Sequence, residues 1–339
     1  MCCKMLFKDK GSKINLLLFV LFFQYLFKFM SKMCLSIKNN LLLNTRFCLT
    51  FFLVLFFNAF YFSQMLNNKN GNAFTKTPFF NKSFIKNNKI KKLSATISFK
   101  KKGSVIKQTN LSYSFSFDQN GRLSHFLESN FRGKKIDSVE YFYTYNSANQ
   151  LEVERKKEMN GYTSIHYKYN TNGELVLKEF HRDILNDLDS LIHSTVLYVK
   201  KIENSIAKNS KKQIVFNNYN LPYKEITSLF SEDGYLLEQK EKMKMSSAFF
   251  KKTFSYNDQG WVSSKKNFRS TDSIPSERWE YKYDSWGNLT KVDYYRGKNL
   301  LEEKEIYYSE KTNLIANMLI INNITQSLKI IRFKGIDFY

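Results

Sequence analysis

The sequence predicts an all-β fold: antiparallel hairpin repeats forming a curved, elongated sheet strip, placed after an N-terminal hydrophobic segment. Three observations predict it. A seven-residue turn motif recurs along most of the chain. The residues leading into each copy alternate aromatic and polar with period two. Apolar runs long enough to reach across a bilayer are confined to the first 63 residues.

The hydrophobic segment comes first. Residues 14–30 and 47–63 are apolar runs near the lower length limit for a membrane span. The second has the layout of a secretory signal: Lys38 and Arg46 before it, Phe47 to Phe57 as its apolar stretch, and Ser63 ahead of Gln64. Residues 1–63 are therefore read as a signal peptide or membrane segment, with a start at Met30 or Met33 giving a signal of ordinary length. The other reading is two membrane helices with Lys32, Lys38 and Arg46 held inside. In both, the body is exported to the periplasm, envelope or exterior, and stays tethered to the inner membrane only if residues 14–63 are retained. All four cysteines (Cys2, Cys3, Cys34 and Cys48) lie in this segment, which removes disulfides and thiol chemistry from the body.

Residues 64–90 read as a basic, Lys/Asn-rich linker. Residues 64–110 carry 11 basic side chains and no acidic one, against 34 basic and 29 acidic in residues 111–339. The run from Lys82 to Lys102 could meet phosphates, but charge runs of this kind are ordinarily solvated tethers or edge strands, so nucleic acid is not the expected partner.

The repeat domain is placed at 91–339. Its motif is an aromatic, Asn or Asp, two free positions, Gly or Asn, one free position, then Leu or Val. It reads FDQNGRL from Phe117, YNSANQL from Tyr145, YNTNGEL from Tyr169, YNDQGWV from Tyr256 and YDSWGNL from Tyr283. FSEDGYL from Phe230 and YSEKTNL from Tyr308 are near copies, and Ile214–Ile226 holds a weaker one. Asp118 and Asp284, like the asparagines at that position, can accept from the backbone two residues on. Gly121, Gly173, Gly234, Gly260 and Gly287 supply the positive φ of a type I turn with a bulge. Before the turns, Tyr141, Tyr143 and Tyr145 share one strand face, as do Trp279, Tyr281 and Tyr283, while Glu280 and Lys282 take the other. Residues 183–212 read as a loop, with a faint helical period from Arg182 to Ile192. A hairpin over Lys91–Lys107 is expected to cap one end of the strip and Asn317–Tyr339 the other, because isolated hairpins need stacking partners.

The stretch YKYDSWGNLTKVDYY, from Tyr281 to Tyr295, resembles the tyrosine-aspartate (YD or RHS) repeat of bacterial surface proteins and toxin shells, with looser copies from Leu111 to Leu314. The resemblance implies hairpins stacked side by side in a curling strip. The chain lacks the Asp-Pro-x-Gly-Leu stretch that ends such shells, and only residues 315–339 follow the last copy.

Catalytic patterns are missing from the sequence: no Gly-x-Ser-x-Gly elbow, no phosphate-cradling glycine loop, no metal-ligand spacing among His125, His166, His181 and His193. His166 and His181 can approach across a hairpin, and otherwise the histidines read as solvent-facing strand residues. The chain is thus expected to be no enzyme and to need no cofactor or metal. Trp261, Trp286 and Trp279 are the candidate binding residues, as flat faces for a protein or glycan ligand. The expected function is an exported, non-enzymatic β-repeat protein of the cell envelope or surface. The alternatives are a relative of a toxin-delivery shell and a polymer-degrading surface enzyme. A membrane-embedded barrel fits less well, since Glu280 and Lys282 suit water.

Overall fold

The computed structural model describes residues 64–339, apart from 76–77, 134, 159–160, 187–189 and 271. The signal or membrane segment expected at 1–63 lies outside the described residues. Among those described, no helix is long and apolar enough to cross a membrane.

One short helix, α1 (Lys82–Asn87), precedes eighteen strands among the described residues. These are β1 (Ile90–Lys101), β2 (Lys107–Phe117), β3 (Leu123–Arg132), β4 (Lys135–Tyr145), β5 (Leu151–Glu158) and β6 (Gly161–Tyr169). Then come β7 (Leu175–Leu185), β8 (Leu191–Ala207), β9 (Ser210–Phe216), β10 (Pro222–Phe230), β11 (Leu236–Met243) and β12 (Phe249–Tyr256). The last are β13 (Val262–Arg269), β14 (Glu277–Tyr283), β15 (Leu289–Arg296), β16 (Asn299–Tyr308), β17 (Ile315–Asn322) and β18 (Ser327–Phe338).

Each strand pairs antiparallel with the next, and β18 pairs with β1 from Ile90↔Phe338 to Lys101↔Ser327. The sheet is a closed 18-stranded β-barrel, and this corrects the expected open strip. The two segments expected as separate end caps meet each other along the seam. Closure removes the unpaired edges that an open strip would expose. The loop expected over 183–212 is also corrected: β7, β8 and β9 run through it, and β8 is the longest strand at 17 residues. Arg182 to Leu185 and Leu191 to Ile192 are strand, so the faint helical period there is overridden by pairing with neighbours.

The turns follow the motif closely. Gly121, Gly173, Gly234, Gly260 and Gly287 all have φ between 75° and 83°. Asn149 and Asn220 take the same left-handed conformation where glycine is missing, and in the Tyr308 copy Asn313 takes it one position later. In the Tyr283 turn, Asp284 Oδ1 accepts from the backbone N–H of Trp286 at 2.9 Å and of Asn288 at 2.8 Å. Asp118 does the same with Asn120 and Arg122.

The structure explains why the motif opens on tyrosine and ends on leucine or valine. The Tyr hydroxyl donates to the carbonyl of the residue that closes the preceding turn. Tyr145 reaches Leu123 at 2.8 Å, Tyr169 reaches Leu151 at 2.8 Å, Tyr256 reaches Leu236 at 2.8 Å and Tyr283 reaches Val262 at 2.9 Å. Tyr308 reaches Leu289 at 3.0 Å, and Tyr339, just past β18, donates to the carbonyl of Phe117 at the end of β2, spanning β1. Each hydroxyl thereby ties one hairpin to its neighbour. Tyr283 has a second duty, because its oxygen accepts from Asn68 Nδ2 at 2.9 Å and Asn68 is buried. Tyr283→Phe is expected to cost about 1–3 kcal/mol, since it leaves a buried amide and a carbonyl without partners. A denaturant midpoint equal to the wild type's would contradict the tie.

Residues 64–90, read as a linker, instead fold into the barrel. Met65, Leu66, Phe79, Phe80, Phe84 and Ile85 are buried and join one core cluster with Phe115, Phe117, Tyr141, Tyr281 and Ile315. Asn81 caps α1, its side chain accepting from Ser83 N and Phe84 N. Tyr281 donates to Gly71 O at 3.3 Å, Phe80 meets Phe115 and Phe117 edge-on at 5.0 Å each, and the Ile315 N–H points at Met65 Sδ. The segment touches strands on opposite sides of the ring, so the face it covers is the lumenal one, and it acts as a plug at the end where the motif turns lie.

Candidate functional site: the lumen of the barrel

Strand register sorts the side chains into two walls. The face that shares Tyr141, Tyr281 and Phe115 points into the lumen. The opposite face carries Glu140, Arg155, Lys157 and Asp183 on β4, β5 and β7, then Lys240, Lys251, Lys266, Glu280, Lys282, Lys291, Asp293 and Glu303 on β11–β16. Many of these are ion-paired across strands: Arg155–Asp183 at 2.8 Å, Lys291–Glu303 at 2.8 Å. A lipid-facing barrel needs an apolar outer band with aromatic girdles. This outer wall is charged on β4, β5, β7 and β11–β16, an arc that matches water, whereas β17 and β18 present Leu319, Ile321, Leu328 and Ile330 on the same face and β2 presents Ser112 and Ser114.

Along the lumenal face, character changes with depth. Next to the plug it is aromatic and aliphatic. A cavity of about 450 Å³ lies there, walled by Phe74, Phe79, Phe80, Phe115, Phe126, Tyr141, Ile315, Met318, Ile320 and Phe333. Phe115 and Phe126 stack with centroids 4.6 Å apart, and Phe126 stacks on Tyr141 at 5.8 Å. Four polar side chains enter the wall: Thr75, Tyr113, Glu128 and Lys304. Tyr113 donates to Glu128 Oε1 at 2.9 Å and accepts from Lys329 Nζ at 2.7 Å. Burial, with Glu128 beside it, pushes the Tyr113 phenol well above its ordinary range, so it stays a neutral donor. Burial pulls the Lys329 ammonium down, and Glu128 and Glu302 partly restore it.

Farther from the plug the lumenal wall becomes ionic. Glu241 bridges Lys224 and Lys252, 3.1 Å from each. Burial pushes the Glu241 carboxyl up, but Lys252 and Lys224 outweigh it, so it titrates below the ordinary carboxylate range. A lumen that is apolar beside its plug and charged farther along is suited to hold a molecule by its apolar part and leave a polar part hydrated.

The three tryptophans do not form one platform. Trp261 lies against Tyr283 at 5.3 Å and beneath Gly287. Trp279 faces the lumen, stacked on Tyr294 at 5.0 Å with Lys265 Nζ 5.3 Å from its centroid. Trp286 sits in its turn with half its surface exposed. Among the described ring contacts, no two of these indoles meet. The turn residues Asp118, Asp284 and the five glycines serve the backbone of their turns.

His166 and His181 do come together, with centroids 4.2 Å apart on the outer face. They are held by neighbours rather than facing open solvent: His166 Nε2 lies 3.1 Å from Ser164 Oγ and His181 Nδ1 lies 2.8 Å from Ser194 Oγ. Burial, then the adjacent His181, lowers the His166 pKa, which favours the neutral ring. Among the described residues no group of three or more His, Cys, Asp or Glu is placed to hold a metal ion.

The residues missed by sequence reasoning are those of the plug and of the cavity it walls. Their signal was a set of aromatics (Phe74, Phe79, Phe80, Phe84) within an otherwise Lys/Asn-rich run.

No family model matches the chain, and no curated protein matches it. Among solved structures, a porin-like protein from Bacteroides uniformis matches with a TM-score of 0.37 at 9% identity, covering 73% of this chain and 98% of that one. A LolA superfamily protein from Nitrosomonas europaea matches with a TM-score of 0.21 at 7% identity, over 76% of this chain and 92% of that one. The Tc holotoxin pore of Photorhabdus luminescens matches with a TM-score of 0.22 at 9% identity, over 67% of this chain and 14% of that one. Likenesses this distant carry no argument about activity, and the fold rests on the chain's own strand pairing. The resemblance to tyrosine-aspartate repeats is corrected: no family model supports it, and the sheet closes into a barrel where those repeats implied a strip.

Proposed function

We propose that the chain is an exported, non-catalytic binding protein that holds a small apolar or amphiphilic molecule in the lumen of its barrel. The observation that carries this reading is the aromatic-walled cavity of about 450 Å³ beside the plug. That volume falls within the range of small-molecule sites, roughly 300–1,000 Å³, and such sites combine apolar walls with a few polar groups. Thr75, Tyr113, Glu128 and Lys304 would be those groups. The signal-like run at 47–63 supports export, and the charged outer arc over β4, β5, β7 and β11–β16 supports a wall that meets water. The ligand class moves from a protein or glycan on an indole platform to a molecule inside the barrel, because the three indoles are dispersed.

A neutral fluorescent probe, N-phenyl-1-naphthylamine, tests the reading. It is expected to bind the full chain saturably, and Ile320→Trp, which places an indole in the cavity, should weaken binding at least tenfold. Absence of saturable binding to the wild type would contradict it, as would equal binding by Ile320→Trp.

A further inference from the structure

The lumenal face of β7 and β8 carries a juxtaposition that a sheet by itself disfavours. Lys178 stands directly opposite Lys200 in the strand register, and like charges placed directly opposite destabilise a strand pair. No carboxylate among the described residues lies within 4 Å of either ammonium. The neighbouring lumenal lysines are paired, Lys224 with Glu241 at 3.1 Å and Lys211 with Glu174 at 2.9 Å. What flanks Lys178 and Lys200 is aromatic. Lys178 Nζ is 5.3 Å from the Tyr167 centroid, and Lys200 Nζ is 4.9 Å from Phe180 and 5.4 Å from Tyr198. Phe180 and Tyr198 stack at 4.1 Å. Burial, then Lys200 and Lys224, pull the Lys178 ammonium below the ordinary lysine range, against a weaker opposing pull from Glu154.

We propose that Lys178 and Lys200 form an anion-binding site on the lumenal wall, taking the oxyanion group of a molecule whose body is a flat aromatic ring system. Two adjacent cations without a paired carboxylate supply the charge for one oxyanion. The rings beside them supply a face for the body to stack on. The repulsion between the two lysines is relieved when the anion sits between them, so the cost in the empty protein becomes affinity for the ligand. The inference rests on the reading of the lumen as a ligand chamber and names a second chemistry for it.

The test is a calorimetric titration of the full chain with 2-naphthalenesulfonate. One-to-one binding is expected, weakening with added salt and at least tenfold in K178M and in K200M. K168M changes a lysine on the outer face of β6 and should bind as the wild type does. Ligand-free K200M should melt about 1–3 °C above the wild type, because a like-charge pair is removed; a merely structural lysine would give a lower melting point instead. Equal sulfonate binding by the wild type, K178M and K200M would overturn the proposal, and so would a lower melting point for ligand-free K200M. The neutral probe separates the two readings. Its retention by K178M alongside lost sulfonate binding supports the anion site, whereas failure of the wild type to bind it rejects the chamber reading and leaves the sulfonate titration to judge the lysines.

Discussion

Gly121→Val is expected to destabilise the folded chain by about 3–5 kcal/mol, combining backbone strain with overpacking. Gly121 has a φ of +75°, which a β-branched residue resists, and a Cβ built there would lie 2.7 Å from Lys86 N and closer still to the carbonyl oxygen of Lys82. Both are backbone atoms of α1, which cannot turn aside as a flexible side chain can. The whole plug would have to shift, carrying Phe84 and Ile85 out of the core. Gly234 is the internal control. It occupies the same position of the same motif with a φ of +81°, yet nothing lies within 4 Å of its would-be Cβ. Gly234→Val should cost only the strain, about 1–3 kcal/mol. Chemical denaturation of both variants measures the difference. Equal losses would mean that α1 does not rest on the Gly121 turn.

Ile331→Ala is the second large effect, at about 3–4 kcal/mol for a fully buried aliphatic truncated in a closed core. Ile331 pairs with Ile97 across the seam, and both are completely buried. The loss should be local as well as global. Amide hydrogens of β1 and β18 should exchange faster, because they are the strands whose pairing closes the ring, while β5 to β12 keep their protection. Uniform acceleration in every strand would contradict a distinct seam. In an open strip β18 would be an end strand, its face half-wet, and the same substitution would cost far less.

The contrast between these two sites shows which parts of the molecule were legible in the sequence. The copies from Phe117, Tyr145, Tyr169, Phe230, Tyr256 and Tyr283 are turns with glycine or asparagine left-handed at the fifth position, because hairpin geometry is decided within seven residues, while in the copy from Tyr308 the left-handed residue is Asn313, one place later. The strand faces were legible for the same reason: Tyr141, Tyr143 and Tyr145 alternate with Phe142 and Thr144, and the period fixes which side is buried. The seam was not legible. Ile97 and Ile331 are far apart in the chain, and whether a curved sheet meets itself depends on accumulated twist and stagger rather than on any local pattern. Residues 183–212 were misread because they lack the motif's turn residues at its spacing, although β-branched and aromatic side chains (Ile192, Val196, Tyr198, Val199, Ile202) were there to mark β8.

The plug was hidden by composition. Lysine and asparagine dominate residues 64–90, and a basic run without acids reads as a tether. Its buried members are a minority set, Met65, Leu66, Phe79, Phe80, Phe84 and Ile85, while Lys82 and Lys86 reach the surface around them. Asn68, read as part of the same polar run, is a buried hydrogen-bonding residue that binds Tyr283 and the Ala73 N–H. The candidate site followed the same division. The indoles were visible because tryptophan is rare, yet their positions on the ring were not, and the cavity is made by the residues whose contacts are least local.

The central claim is that β1 and β18 close the barrel, since the lumen, its plug and its cavity all depend on that seam. Disulfide formation between Thr96→Cys and Arg332→Cys tests it, in a chain whose four cysteines are replaced by serine. The two positions are direct register partners across the seam, and Thr96 is exposed to an oxidant. The closed barrel predicts a rapid intramolecular disulfide, visible as a shift in non-reducing electrophoresis at high dilution. In an open strip, seventeen strand spacings of about 4.8 Å would hold the two residues roughly 80 Å apart, and a monomer that stays unlinked would contradict the account.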